Sequence, residues 1–194
     1  MMVITTPLDE RQRSQAGLIY YEAFRRKLQP LIGKPAQTIP LLAAGLRLDM
    51  TIGALHEEKL LGLAGLHSQA GVFSQVGLRA SVQALGLARG LYAWMTLNLF
   101  GVGAGCPADE LRIAALAVDA AARGQGVGTG LLQAVFAKSR REGYRAVRLE
   151  VVDTNTGARQ LYERLGFAVV KTHHYPFIRR WLGFSGEYVM TKEV

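Results

Sequence analysis

The segment Arg123-Gly124-Gln125-Gly126-Val127-Gly128-Thr129-Gly130 carries a glycine at every second position, between a predicted strand and a predicted helix. Such spacing lets backbone N–H groups turn into a small concavity. The positive end of the following helix adds to it, so the segment suits an anion, most naturally a pyrophosphate. Two nucleotide-binding patterns fail here. A Walker loop needs Lys-Ser/Thr after its last glycine, whereas Gly130 is followed by Leu131-Leu132. A dinucleotide fingerprint needs glycines at the first, third and sixth positions; counting from Gly124 the sixth is Thr129, and from Gly126 it is Leu131. His173 and His174 are adjacent and would face opposite ways on a strand, so no metal site is expected. The single cysteine, Cys106, excludes an internal disulfide, and its Gly/Pro-rich surroundings make it a poor candidate for an acyl-enzyme nucleophile.

The elements that must position the glycine loop are legible around it. Leu111 to Val118 reads as a buried strand ahead of the loop. Thr129 to Glu142 follows as a helix, with Leu131, Leu132, Val135 and Phe136 on one face and Gly143 as its stop. Tyr144 to Val152 alternates as a strand, and Thr154 or Asn155 can cap a helix running to Leu165, ended by Gly166. Phe167 to Thr172 and Glu187 to Met190 are two further strands, separated by a long aromatic and basic loop. In the front half, Asp9 to Leu31 has a helical pattern ending near Pro30, and Lys34 to Thr38 reads as a connector before a short helix at Ile39 to Leu48. Met50 to Leu55 and Leu60 to His67 flank the polar turn His56-Glu57-Glu58-Lys59 as a hairpin. Val72 to Phe100 has Arg79 and Arg89 as its only charges and reads as one or two buried helices. The pattern is that of one α+β or α/β domain spanning residues 1–194.

Composition agrees. A chain of 194 residues, 49% hydrophobic and 20% charged, is globular and long enough for one sizeable core. Its net charge of +8 is uneven: ten Lys/Arg against eight Asp/Glu up to residue 110, and thirteen against seven after it. An anionic partner is therefore to be sought in the second half. Met1 to Pro7 lacks a signal-peptide pattern, and the uncharged stretch Gly90 to Ala108 is broken by glycines and Pro107, so neither export nor stable membrane insertion is expected and the cytoplasm is the default.

The run Arg-x-x-Gly-x-Gly at Arg123, Gly126 and Gly128, after the strand Leu116-Ala117-Val118, resembles the acyl-CoA pyrophosphate loop of the GNAT superfamily of N-acyltransferases. Asn155, Ala158, Tyr162, Gly166 and Phe167 fall in the spacing of that family's next motif, at the expected distance. The resemblance is strong over Leu111 to Phe167. It implies an α/β sandwich with a mixed central sheet, in which two parallel strands (here Leu111–Val118 and Tyr144–Val152) splay apart to admit the pantetheine arm of acetyl-CoA. It further implies cofactor contacts from Leu116, Ala117, Val118, Arg123, Gly124, Gly126, Val127, Gly128, Thr129 and Asn155. Tyr162 matches the family's general acid. Glu150, twelve residues earlier, is similar in placement to the base of the ribosomal-protein N-terminal acetyltransferase branch, which acts through water.

Each role has a plainer counterpart. Tyr162 could simply pack its helix on the sheet, Asn155 could only cap, and Glu150 could pair with Arg148 or another exposed arginine; Asp119 is the second candidate for the base. The expected activity is transfer of an acetyl group from acetyl-CoA to a primary amine in a ternary complex, the acceptor being a small amine, an amino acid or a protein N-terminus. The rival is a non-catalytic acyl-CoA-binding or sensory module. A nucleic-acid partner is not expected, for want of a recognition helix or aromatic-interleaved basic strand. The chain departs from the family at Ser68 to Glu110, a helical insertion suited to extra core, a homodimer contact, a lid or wall over the acceptor, or membrane-surface contact, and at Tyr175 to Trp181, where the family often contacts acceptors but a solvated basic loop is the plainer reading.

Overall fold

A computed structural model describes residues 2–32, 34–102, 107–175 and 183–194. Among them, strands β1 (Met2–Thr5), β2 (Thr51–His56), β3 (Lys59–His67), β4 (Glu110–Val118), β5 (Ala146–Val152), β6 (Ala168–His174) and β7 (Gly186–Glu193) form one sheet in the order β1-β2-β3-β4-β5-β7-β6. Helices α1 (Arg13–Ile32), α2 (Pro35–Gly45), α3 (Leu78–Leu85) and α4 (Leu87–Val102) precede β4; α5 (Val127–Arg141) and α6 (Thr156–Arg164) flank β5 in sequence.

Two helical layers enclose the sheet. On one face Leu131, Leu132, Val135 and Phe136 of α5 pack with Tyr162 of α6 against Leu111, Ile113, Val147, Leu149 and Val151. On the other face Ala16 and Ile19 of α1 pack with Phe73 against Leu60, Leu63, Ala115 and Ala117. Helices α2 and α4 complete this second layer through Leu41, Leu42 and Ala93, which meet Tyr21 and Val76. The expected α/β sandwich and mixed sheet are observed.

Strand β4 changes faces partway along. Leu66 pairs with Ile113, but the neighbouring Gly65 pairs with Ala115, so Ala114 is an extra residue, a β-bulge. Before it, Leu111 and Ile113 point towards α5; after it, Ala115 and Ala117 point towards α1. The bulge coincides with the end of pairing between β4 and β5. Their parallel register runs only from Glu110 opposite Ala146 to Ile113 opposite Leu149, although β4 continues to Val118 and β5 to Val152. The outer edges stay paired, β4 with β3 up to Val118 and β5 with β7 up to Val152, so only the facing edges diverge.

Several expectations change in the front half. The supposed connector Lys34 to Thr38 is the first turn of α2. Pro35 occupies its first position, where a missing N–H costs no intrahelical bond. Strand β1 was not anticipated; at four residues it is too short for a periodic signal. The stretch from 72 to 100 forms two helices, as expected, but one side of α4 is exposed rather than buried. Cys106 and the loop from Pro176 to Trp181 lie outside the described residues. Among those residues no helix is long and apolar enough to cross a membrane, and no cluster of metal-ligating side chains occurs.

Candidate active site

The diverging edges of β4 and β5 make a cleft open along its length. Leu116 and Val118, half-buried, face the α5 layer, and Ala117 is buried on the other side. Backbone N–H and C=O groups along such an edge lack a strand partner and can receive an extended ligand.

The glycine loop lies where β4 ends. The Asp119 N–H donates to the Leu61 carbonyl at 2.8 Å, tying the loop's start to β3. Its carboxylate accepts from the Ala121 N–H at 2.8 Å, capping a single turn at Ala120–Ala122. Asp119, the second candidate for the base, is thus employed as a cap. Arg123 reaches back, its Nε donating to the Val118 carbonyl at 3.4 Å. Gly126, at φ 79 and ψ 0, is the N-cap of α5 in a left-handed conformation that favours glycine. The first bond of α5 at this end runs from the Gly130 N–H to the Gly126 carbonyl at 2.9 Å. The N–H groups of Val127, Gly128 and Thr129 therefore precede the helical ladder and point out at the positive end of the helix. A Cβ on Gly124 or Gly126 would meet nothing within 4 Å, so the loop faces open space. Gly128 joins loop, cleft and helix: a Cβ there would stand 3.4 Å from Leu161 of α6 and 4.0 Å from Val118 of β4.

Tyr162 is 7% exposed, edge-on to Phe167 with ring centroids 5.7 Å apart. Burial pushes its hydroxyl pKa up to about 12, because the phenolate would be poorly solvated there. Asn155 caps α6, its side-chain oxygen accepting from the Ala158 N–H at 3.2 Å.

Glu150 lies between Leu149 and Val151, whose side chains share a core with Tyr162, so its carboxylate projects from the opposite face of the sheet. There it accepts from Arg112 Nε at 2.9 Å and lies 3.5 Å from Arg148 Nε. The Arg148 partnership was anticipated from sequence. Arg112 was not, because its approach depends on the parallel register that sets Arg112 opposite Arg148.

Three further groups on this face were missed or only partly seen. Glu187 lies opposite Val152, and the Tyr175 hydroxyl donates to its Oε1 at 3.2 Å. Tyr175 stacks on His173, and its pKa is raised by burial, then by the Glu187 and Glu150 carboxylates. His67, paired with Arg112 across β3 and β4, is 5% exposed, and burial followed by the Arg112 charge pushes its pKa down to about 4. Nothing local in the sequence marks Glu187 or His67. Their placement is a property of strand register. The cleft therefore has a glycine loop at its end, a protonated tyrosine on one face and a charged carboxylate–arginine group on the other.

Residues 20–167 match the family model described as acetyltransferase (GNAT) family. Among solved structures, an N-acetyltransferase from Staphylococcus aureus Mu50 superimposes with a TM-score of 0.67 at 16% identity, covering 98% of this chain and 100% of that one. The ribosomal-protein-S18-alanine N-acetyltransferase from Escherichia coli gives 0.59 at 19% identity over 100% and 94% of the two chains. Arabidopsis thaliana Naa50, in complex with a bisubstrate analogue CoA-Ac-MVNAL, gives 0.59 at 17% over 100% and 99%. No curated protein matches the sequence. The family match spans most of the chain, including both diverging strands and the glycine loop, and with it the chain belongs to the GNAT family of acetyltransferases.

Proposed function

We propose that this acetyltransferase uses acetyl-CoA to acetylate a primary amine by direct attack within a ternary complex. The observation that carries the reading is the loss of β4–β5 pairing beyond Ile113 and Leu149, beside an open glycine loop at the start of α5. In this reading the pantetheine arm runs along Leu116, Ala117 and Val118. Its pyrophosphate lies on the N–H groups of Gly124, Gly126, Val127, Gly128 and Thr129, and Arg123 neutralises phosphate charge. A backbone N–H at Leu116 stabilises the negative charge that develops on the thioester oxygen.

Tyr162 gives its proton to the departing thiolate. A raised pKa keeps that proton in place throughout the neutral range, so the acid is always loaded. The acceptor approaches from the other face, where Glu150 receives the amine's proton through water. Because both oxygens of Glu150 face arginine, taking up a proton requires a guanidinium to loosen. Glu187 has no ion pair with a described residue and stands as the alternative carboxylate on that face. Asn155 keeps α6 in place and, in this reading, also touches the cofactor side of the cleft.

The test is calorimetric titration with acetyl-CoA, followed by an acceptor panel of small amines, amino acids and peptides read by free CoA release. Binding plus acetylation supports the reading. Binding without acetylation of any acceptor favours a non-catalytic acyl-CoA-binding module.

A further inference from the structure

Among the described residues, helix α4 is held by one side only. Gly90 approaches α3 so closely that a Cβ would stand 2.4 Å from Val82 Cα, and Ala93 is buried among Tyr21, Leu41, Leu42 and Val76. The opposite side is apolar and uncovered among the described residues. Leu87 is 76% exposed, Leu91 50%, Met95 50% and Tyr92 46%. Leu87, Leu91 and Met95 recur at four-residue steps, so they form one stripe along the helix, with half-buried Trp94 at its border.

The charges carried by α3 and α4 have one sign. Between Glu58 and Asp109 the sequence contains no acidic residue, and its cations are Lys59, Arg79 and Arg89. Arg79 and Arg89 are exposed and form no ion pair with a described residue. A second copy of the chain is a poor occupant. The stripe offers on the order of 400 Å² of apolar surface, about half of what each partner gives to a stable protein interface. An anionic lipid surface answers both features: headgroups for the arginines, and an acyl boundary for Leu87, Leu91 and Met95 with Tyr92 and Trp94 at the interface.

We propose that the exposed face of α4, with Arg79 and Arg89, docks the protein peripherally on anionic phospholipid membranes. The helix lies in the interface plane and does not cross the bilayer. This proposal is independent of the acetyl-transfer reading.

The experiment uses the full chain with phosphatidylcholine vesicles, with and without phosphatidylglycerol. Trp181→Phe leaves Trp94 as the single tryptophan reporter. Expected results are co-sedimentation with the anionic vesicles, weakening with salt, and a blue shift of Trp94 emission. Leu87→Glu combined with Leu91→Glu lowers the partition coefficient at least about tenfold, while circular dichroism shows the helices intact. Equal recovery with and without anionic vesicles, or equal binding by the double variant, overturns the proposal. So does a dimer in sedimentation velocity that the double variant splits, since the occupant is then a second copy.

Discussion

The side chains flanking the cleft divide by what holds them. Tyr162 is set by apolar packing, and a phenol with a pKa near 12 remains an acid across the working range. Tyr162→Phe should lower kcat about a hundredfold with acetyl-CoA affinity nearly retained, and the wild-type rate should show no alkaline loss from this group below about pH 10. Glu150 is set by charge. Glu150→Gln leaves Arg112 and Arg148 without their shared carboxylate and should cost about 2 kcal/mol in denaturant unfolding. If Glu150 takes the proton, Glu150→Gln also removes the acidic limb of the kcat/KM profile, whereas retention of that limb moves the role to Glu187. His67 gives a separate signature. Its folded-state pKa of about 4 lies below the ordinary 6.5, so the unfolded chain binds the proton first as pH falls. The stability present above pH 6.5 should decline between pH 6.5 and 4 by roughly 3 kcal/mol and then level off, and His67→Phe should flatten this decline. Tyr162 and Glu150 could be picked out from spacing to neighbouring motifs. Arg112, Glu187 and His67 could not, since each reaches the site through pairing with strands distant in sequence.

At the scale of elements, the second half was readable because its periodicities are clean and its helix ends carry Asn155, Gly143 and Gly166. The front half was less so: Pro35 begins a helix where a connector was expected, and the bulge at Ala114 leaves no mark in the alternation of Leu111 to Val118, whose alanines suit either face. That bulge matters most for the cleft, since it coincides with the divergence of β4 from β5. The α3–α4 pair is more constrained than its composition suggests. Gly90→Ala would drive a methyl into Val82 and the Ser81 carbonyl and should lower stability by about 2 kcal/mol, measured by thermal melting.

For the molecule as a whole, the uneven charge now has a structural counterpart. The basic second half holds the glycine loop and the Arg112, Arg148 and Glu150 group, while the nearly neutral first half supplies the helical layer on the sheet face opposite α5. The cleft and its loop carry the proposed activity. The most direct measurement is calorimetric titration of acetyl-CoA into the wild type and into Gly126→Glu. That variant places a carboxylate in open space at the start of α5 and forces a side chain into φ 79. Acetyl-CoA binding at the glycine loop requires measurable affinity in the wild type and at least a tenfold weaker affinity in the folded variant. Absence of binding by the wild type, or unchanged affinity in the variant, would contradict it.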